Sequence, residues 1–166
     1  MEVAIRFLAR TQRADGAWLP LWFGNENVPD ETNPTYGTAR VLVALRDAAL
    51  SGISISSALT ARGVKWLIGA QKEDGSWGGD AQAPSSVEET ALAVEALATF
   101  APQAASHGAH WLAARVAQST WRESSPIGFY FARLWYYEKL YPVIWALGAL
   151  QQAAVALEAF PSDPSS

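Results

Sequence analysis

Apolar residues recur at the helical period along most of this chain. In residues 57–71, Thr60, Val64, Leu67 and Ile68 fall on one stripe, and in residues 86–100 Val87, Ala91, Val94 and Ala98 do the same. The pattern predicts helices near 2–13, 37–50, 57–71, 86–100, 102–118 and 139–158. Ser86 followed by Glu89 reads as a capping box, in which the serine oxygen and the glutamate each satisfy a backbone N–H that the first turn leaves orphaned. Pro102 and Pro142 suit a first helical turn, where a missing N–H costs nothing. Asp-Gly at 15–16 and again at 74–75 reads as a turn that closes a helix. Pro20 to Pro34 is a long loop rich in Gly, Pro and Asn, and residues 159–166 read as a disordered tail. The expectation is an all-α domain over residues 1–158.

The helices belong to a repeat. Phe7-Leu8-Ala9-Arg10-Thr11-Gln12-Arg13-Ala14-Asp15-Gly16-Ala17-Trp18 superposes on Trp66-Leu67-Ile68-Gly69-Ala70-Gln71-Lys72-Glu73-Asp74-Gly75-Ser76-Trp77 at a constant offset of 59. Further on, Thr38-Ala39 and Ala44-Leu45 echo Thr90-Ala91 and Ala96-Leu97 at an offset of 52, so the first connecting loop is the longer one. A worn third copy runs from His107-Gly108-Ala109-His110-Trp111-Leu112 to Trp121, with Val116 where a glutamine would stand. Each unit is a helix, a Gly-Trp turn, a loop and a second helix, and such pairs must stack on neighbours to bury their apolar faces.

The spacing of Gln and Trp has its own logic. A helix end leaves carbonyls without partners inside the helix. The amides of Gln12 and Gln71 are placed to bond to such groups, with Trp18 and Trp77 covering them. An amide is neither acid nor base, so Gln12, Gly16, Trp18, Gln71, Gly75 and Trp77 are assigned a structural role.

Composition then narrows the class of protein. The chain holds 166 residues, half of them hydrophobic, with 8 Trp, no Cys and a net charge of -4. The absence of cysteine removes disulfide frameworks, Cys-containing zinc sites and thiol catalysis. No basic block exists to neutralise phosphates, so nucleic acid is not an expected partner. No apolar run approaches the ~20 residues needed to span a bilayer, and Met1-Glu2-Val3-Ala4 lacks a signal peptide's basic start. The expected location is the cytoplasm.

Together these residues carry a family resemblance. Arg62-Gly63-Val64-Lys65-Trp66-Leu67, then Gln71, then Gly75-Ser76-Trp77 resembles a full QW motif of the squalene cyclases. Residues 7–18 match it except at the basic-Gly start. The segment Pro126-Ile127-Gly128-Phe129-Tyr130-Phe131 through Leu134-Trp135-Tyr136-Tyr137 to Leu140-Tyr141-Pro142 is similar to the C-terminal end of squalene–hopene cyclases, and Tyr36-Gly37-Thr38 also fits. The resemblance implies about half of a six-pair α/α barrel, around a cavity in which a polyprenyl hydrocarbon is protonated and cyclised. It implies no cofactor and no metal, contact with one membrane leaflet, and aromatic faces that stabilise successive cations. Tyr130, Tyr137, Phe131 and Trp77 are the residues it points to as cavity lining. The family's acid is an Asp-x-Asp-Asp motif, in which neighbours sharpen one carboxyl. Asp15, Asp30, Glu31, Asp74, Asp80, Glu88 and Glu89 nowhere form it. The resemblance places that acid N-terminal to the matching region, so this chain is expected to supply wall rather than proton. An N-terminal cyclase half is therefore an expected partner, and no residue here is nominated as catalytic.

Other constellations are weaker. His107 and His110, one helical turn apart, read as exposed or capping residues more readily than as metal ligands. The helix dipole accounts for Glu88 and Glu89 in a first turn. Trp22 and Phe23 read as loop packing. Two further function classes remain open at this point. A protein prenyltransferase β-like chain shares the barrel, but its zinc site takes a cysteine. A non-catalytic helical-repeat module would bind a lipid or a protein.

Overall fold

A computed structural model describes residues 2–129 and 133–159. Six helices follow in order: α1 (Glu2–Thr11), α2 (Pro34–Leu50), α3 (Ser57–Ala70), α4 (Val87–Phe100), α5 (Pro102–Ala117) and α6 (Tyr141–Ala159). They pack as two rows. In one row α2 lies on α4 and α4 on α6, while α3 backs onto α2 and α4 and α5 backs onto α4 and α6. The pairs α3/α4 and α5/α6 pack on one another and give the expected α/α architecture. α4 is the axis of the packing. Every residue from Val87 to Ala98 except Glu95 is buried, because the helix has neighbours on three sides.

The expected helix boundaries hold to within about three residues. The largest difference is at α2, which starts at Pro34 instead of residue 37. Asn33 caps it, its Oδ1 accepting the Tyr36 N–H at 3.0 Å, and Pro34 occupies the first turn. In α3 the buried side is Leu59, Gly63, Leu67 and Ala70, so the expected stripe is rotated and Ile68 is exposed. The capping box at Ser86 is half formed. Ser86 Oγ accepts the Glu89 N–H at 3.0 Å, but the Ser86 N–H donates to the Trp77 carbonyl, not to a glutamate side chain.

Three short strands were not foreseen. β1 (Phe23–Gly24), β2 (Ile127–Phe129) and β3 (Leu134–Tyr136) form one antiparallel sheet in the order β1-β2-β3. The register pairs Phe23 with Phe129, Gly24 with Gly128, and Gly128 in turn with Trp135. The sheet ties the first long loop to the segment before α6, residues more than 100 positions apart in the chain. Among the described residues no helix is long and apolar enough to cross a membrane. The expected tail lies outside the described residues beyond Ala159.

Candidate functional site

The QW segments form the frame, and the two complete copies are built alike. Gln12 Nε2 donates to Gly16 O at 2.9 Å and Leu59 O at 3.1 Å, and Gln71 Nε2 donates to Gly75 O and Ala104 O, each at 3.0 Å. Each glutamine thus joins its own turn to the first turns of the next repeat's outer helix. The helix-end carbonyls are met by the tryptophans instead: Trp18 Nε1 bonds Leu8 O and Trp77 Nε1 bonds Leu67 O, both at 2.8 Å. The tryptophan backbone is held as well, its N–H donating at 3.0 Å to Thr38 Oγ1 in one copy and Thr90 Oγ1 in the other. Gly16 and Gly75 sit at φ +103° and +91°, a left-handed conformation that a side chain would strain. Trp18 packs against Gly63 of α3 and Trp77 against Gly108 of α5, where a Cβ would approach the indole to 2.6 and 2.7 Å.

This geometry relocates one expected residue. Trp77 is 0% exposed and fully enclosed by the frame, so it has no surface to present to a cavity. In the third copy Trp121 is only half-buried, with Arg122 over its ring at 4.7 Å. Trp111 Nε1 reaches back to Asp74 Oδ2 at 3.1 Å. Both histidines, His107 and His110, are exposed, and no group of three or more potential metal ligands occurs among the described residues.

At the N-terminal ends of α2 and α6 the side chains form a continuous aromatic wall. Phe129 stacks on Phe23 (5.7 Å between centroids), Phe23 tilts against Tyr36 (5.3 Å), Tyr36 against Trp145 (6.1 Å), and Trp145 stacks on Tyr141 (4.4 Å). All five rings are half-buried. Each therefore keeps part of its surface accessible. Burial raises the Tyr36 phenol above its ordinary range, with Arg40 opposing and Tyr141 adding to the shift. Tyr136 is raised by burial and then by Tyr141, to which its hydroxyl is hydrogen-bonded. These phenols stay protonated and neutral at physiological pH. Around the wall Leu21, Trp22, Leu134 and Leu140 are exposed, so the rim carries apolar side chains. Tyr137 stands at this rim, 58% exposed, and its hydroxyl donates to Glu26 Oε1 at 3.3 Å; the Glu26 charge is the main reason its phenol is raised. Tyr130 and Phe131 lie outside the described residues. Two grooves of about 400 Å³ each run along α3 and touch none of the wall.

The wall has buried supports that the sequence alone did not reveal. Glu89 and Glu88 at the head of α4 are both 3% exposed. Glu89 Oε1 accepts Asn25 Nδ2 at 2.8 Å and Asn33 Nδ2 at 2.9 Å, and its Oε2 accepts the Ser86 hydroxyl. Glu88 Oε1 accepts the Ser125 N–H at 2.8 Å. Phe23, Tyr36 and Trp145 are the wall residues that sequence reasoning did not nominate, whereas Phe129 and Tyr141 belong to the aromatic segment similar to the C-terminal end of squalene–hopene cyclases. Tyr36 and Phe129 stood in quoted motifs. Phe23 was read as loop packing and lies instead in β1, and Trp145 carried no signal beyond its place in an apolar helix.

The helices thus make an α/α repeat frame of the kind terpene cyclases share, with an aromatic wall at one end. Residues 1–154 match the family described as squalene-hopene cyclase C-terminal domain, and the chain belongs to that family. It is 32% identical over 163 residues to a probable squalene–hopene cyclase of Sinorhizobium fredii, covering 86% of this chain and 23% of that protein. The squalene–hopene cyclase of Zymomonas mobilis is 29% identical, with 89% of this chain and 24% of that protein covered. The chain thus spans about a quarter of the length of these curated relatives. The ent-copalyl diphosphate synthase of Streptomyces platensis shares the fold, with a TM-score of 0.50, 24% identity, and 93% of this chain and 27% of that one covered.

Proposed function

We propose that this segment supplies an aromatic wall of the substrate cavity in a squalene–hopene cyclase-type enzyme, which cyclises a polyprenyl hydrocarbon by protonation. The observation that carries the reading is the run Phe129–Phe23–Tyr36–Trp145–Tyr141, half-buried at one end of the frame. Such faces bind hydrocarbon through apolar area, and they attract a passing cation by ~0.5–2 kcal/mol each. Two or three of them are enough to bias a branching cation about tenfold. Tyr137 extends the wall toward the substrate in this reading, and Tyr130 and Phe131 are kept as lining candidates on the family resemblance alone.

No Asp-x-Asp-Asp sequence occurs in the 166 residues, so the proton comes from elsewhere, on an N-terminal cyclase half. The site needs no cofactor, and the setting is the cytoplasmic side of one membrane leaflet, from which the hydrocarbon enters. Squalene in detergent is the test. This chain alone forms no cyclised product; joined to an acid-bearing cyclase half it does, and Tyr137→Ala then alters the product ratio. A polycyclic product from the chain alone, or an unchanged ratio in the joined Tyr137→Ala enzyme, overturns the reading.

A further inference from the structure

Glu88 and Glu89 are the two buried acids among the described residues, and their bonds run outward in two directions. Asn25 directly follows β1, and Asn33 caps α2 through the Tyr36 N–H, so Glu89 holds the supports of Phe23 and Tyr36. Ser125 precedes β2 by two residues, so Glu88 holds the support of Phe129. We infer that Glu88 and Glu89 are positioning residues for the aromatic wall, Glu89 fixing β1 and the head of α2 while Glu88 fixes the approach to β2. The inference rests on the reading of that wall as a hydrocarbon cavity, and it adds a control to it.

The two acids are held differently. Glu89 accepts from three donors, two amide N–H groups and the Ser86 hydroxyl. Glu88 has one donor, and its Oε2 is buried without a hydrogen-bond partner among the described residues. An ionised Glu88 would leave a bare oxygen beside an existing negative charge, which is costly away from water. Burial first, and then the Glu89 charge, push Glu88 up to about 7 against the pull of the Ser125 N–H. Arg115 of α5 and Glu123 of the following loop line a groove with Ser86 and Ser125, while the loop that carries Asn25 adds Glu26, bonded to Tyr137, and Glu31, paired with Arg133. Near neutrality Glu88 therefore releases its proton. Two like charges then meet at the head of α4, between the two halves of the wall's support.

NMR of the full chain without ligand, from about pH 5.5 to 8.5, tests this. The Ser125 amide, the Asn25 and Asn33 side-chain amides, and the Phe23 and Phe129 rings are expected to follow one titration with its midpoint near 7. Glu88→Gln keeps the fold and abolishes that titration, leaving the signals at their low-pH positions. Glu89→Gln shifts the Asn25 and Asn33 amides together with the rings; where that variant does not fold, Glu88→Gln alone decides. Rings that do not move across the range, or that titrate unchanged in Glu88→Gln, overturn the inference. No hydrocarbon is present, so failure of squalene chemistry and failure of the clamp are separate results.

Discussion

Trp77→Ala removes a side chain that is wholly buried and hydrogen-bonded at both its indole and its backbone. Truncating a buried tryptophan costs ~3–5 kcal/mol, of which part is the cavity left behind. The Leu67 carbonyl also loses the indole N–H at 2.8 Å, and a stranded buried acceptor adds ~1–3 kcal/mol unless water reaches it. Trp121→Ala is the control. That ring is half-buried and its named partner is Arg122 at 4.7 Å, a contact that contributes about 0.5–1 kcal/mol at an exposed site. A gap of about 3 kcal/mol between the variants is expected. Urea melts followed by far-UV circular dichroism avoid a fluorescence signal that the mutations themselves alter. With a slope of ~2 kcal/mol per molar, the two midpoints should separate by about 1.5 M. Equal midpoints would refute the view that the complete motif, and not tryptophan burial in general, stabilises the frame.

Gly63→Ala and Gly108→Ala each place a methyl against a motif tryptophan and should cost ~1–3 kcal/mol, whereas Gly148→Ala in α6 meets nothing within 4 Å and should gain ~0.5–1 kcal/mol; thermal melts of the three compare them directly. The folded chain keeps a proton on Glu88 that the unfolded chain releases near 4.5. Its contribution is therefore full below about 4.5 and falls as pH rises to about 7, a loss of about 3 kcal/mol that chemical melts across pH should show and Glu88→Gln should remove. Ile144, Leu147 and Val155 share an exposed side of α6, so the chain should self-associate in detergent-free buffer, and Leu147→Lys should reduce the associated fraction in a sizing column.

The frame was legible because its residues repeat. Gln12 and Gln71, Trp18 and Trp77, and Thr38 and Thr90 stand in matched positions, and the structure gives each pair the same bonds. The direction of those bonds was not legible. Glutamine reaches the next repeat and tryptophan takes the helix end, a division that depends on how neighbouring outer helices stack. The wall was read only in part. Its rings come from a two-residue strand, two helix starts and a second strand, and strands this short have no period to detect. Glu88 and Glu89 look like ordinary first-turn acids in the sequence. Their burial follows from the loops folded over the head of α4, including Asn25 and Ser125, which lie far off in the chain.

The bond between Trp18 N–H and Thr38 Oγ1 pins together the two ends of the 19–37 segment, which carries β1, Asn25 and the head of α2. The counterpart segment between Trp77 and Thr90 is closed by the same bond and is shorter. With its ends anchored, a loop pays only a slowly growing closure entropy for added length, ~0.6 kcal/mol for each doubling. Insertions and substitutions between the anchors therefore reshape the aromatic surface at little thermodynamic cost to the repeats behind it. Selection on what the wall touches and selection on whether the domain folds act on different residues, and a lineage can vary the first while conserving the second.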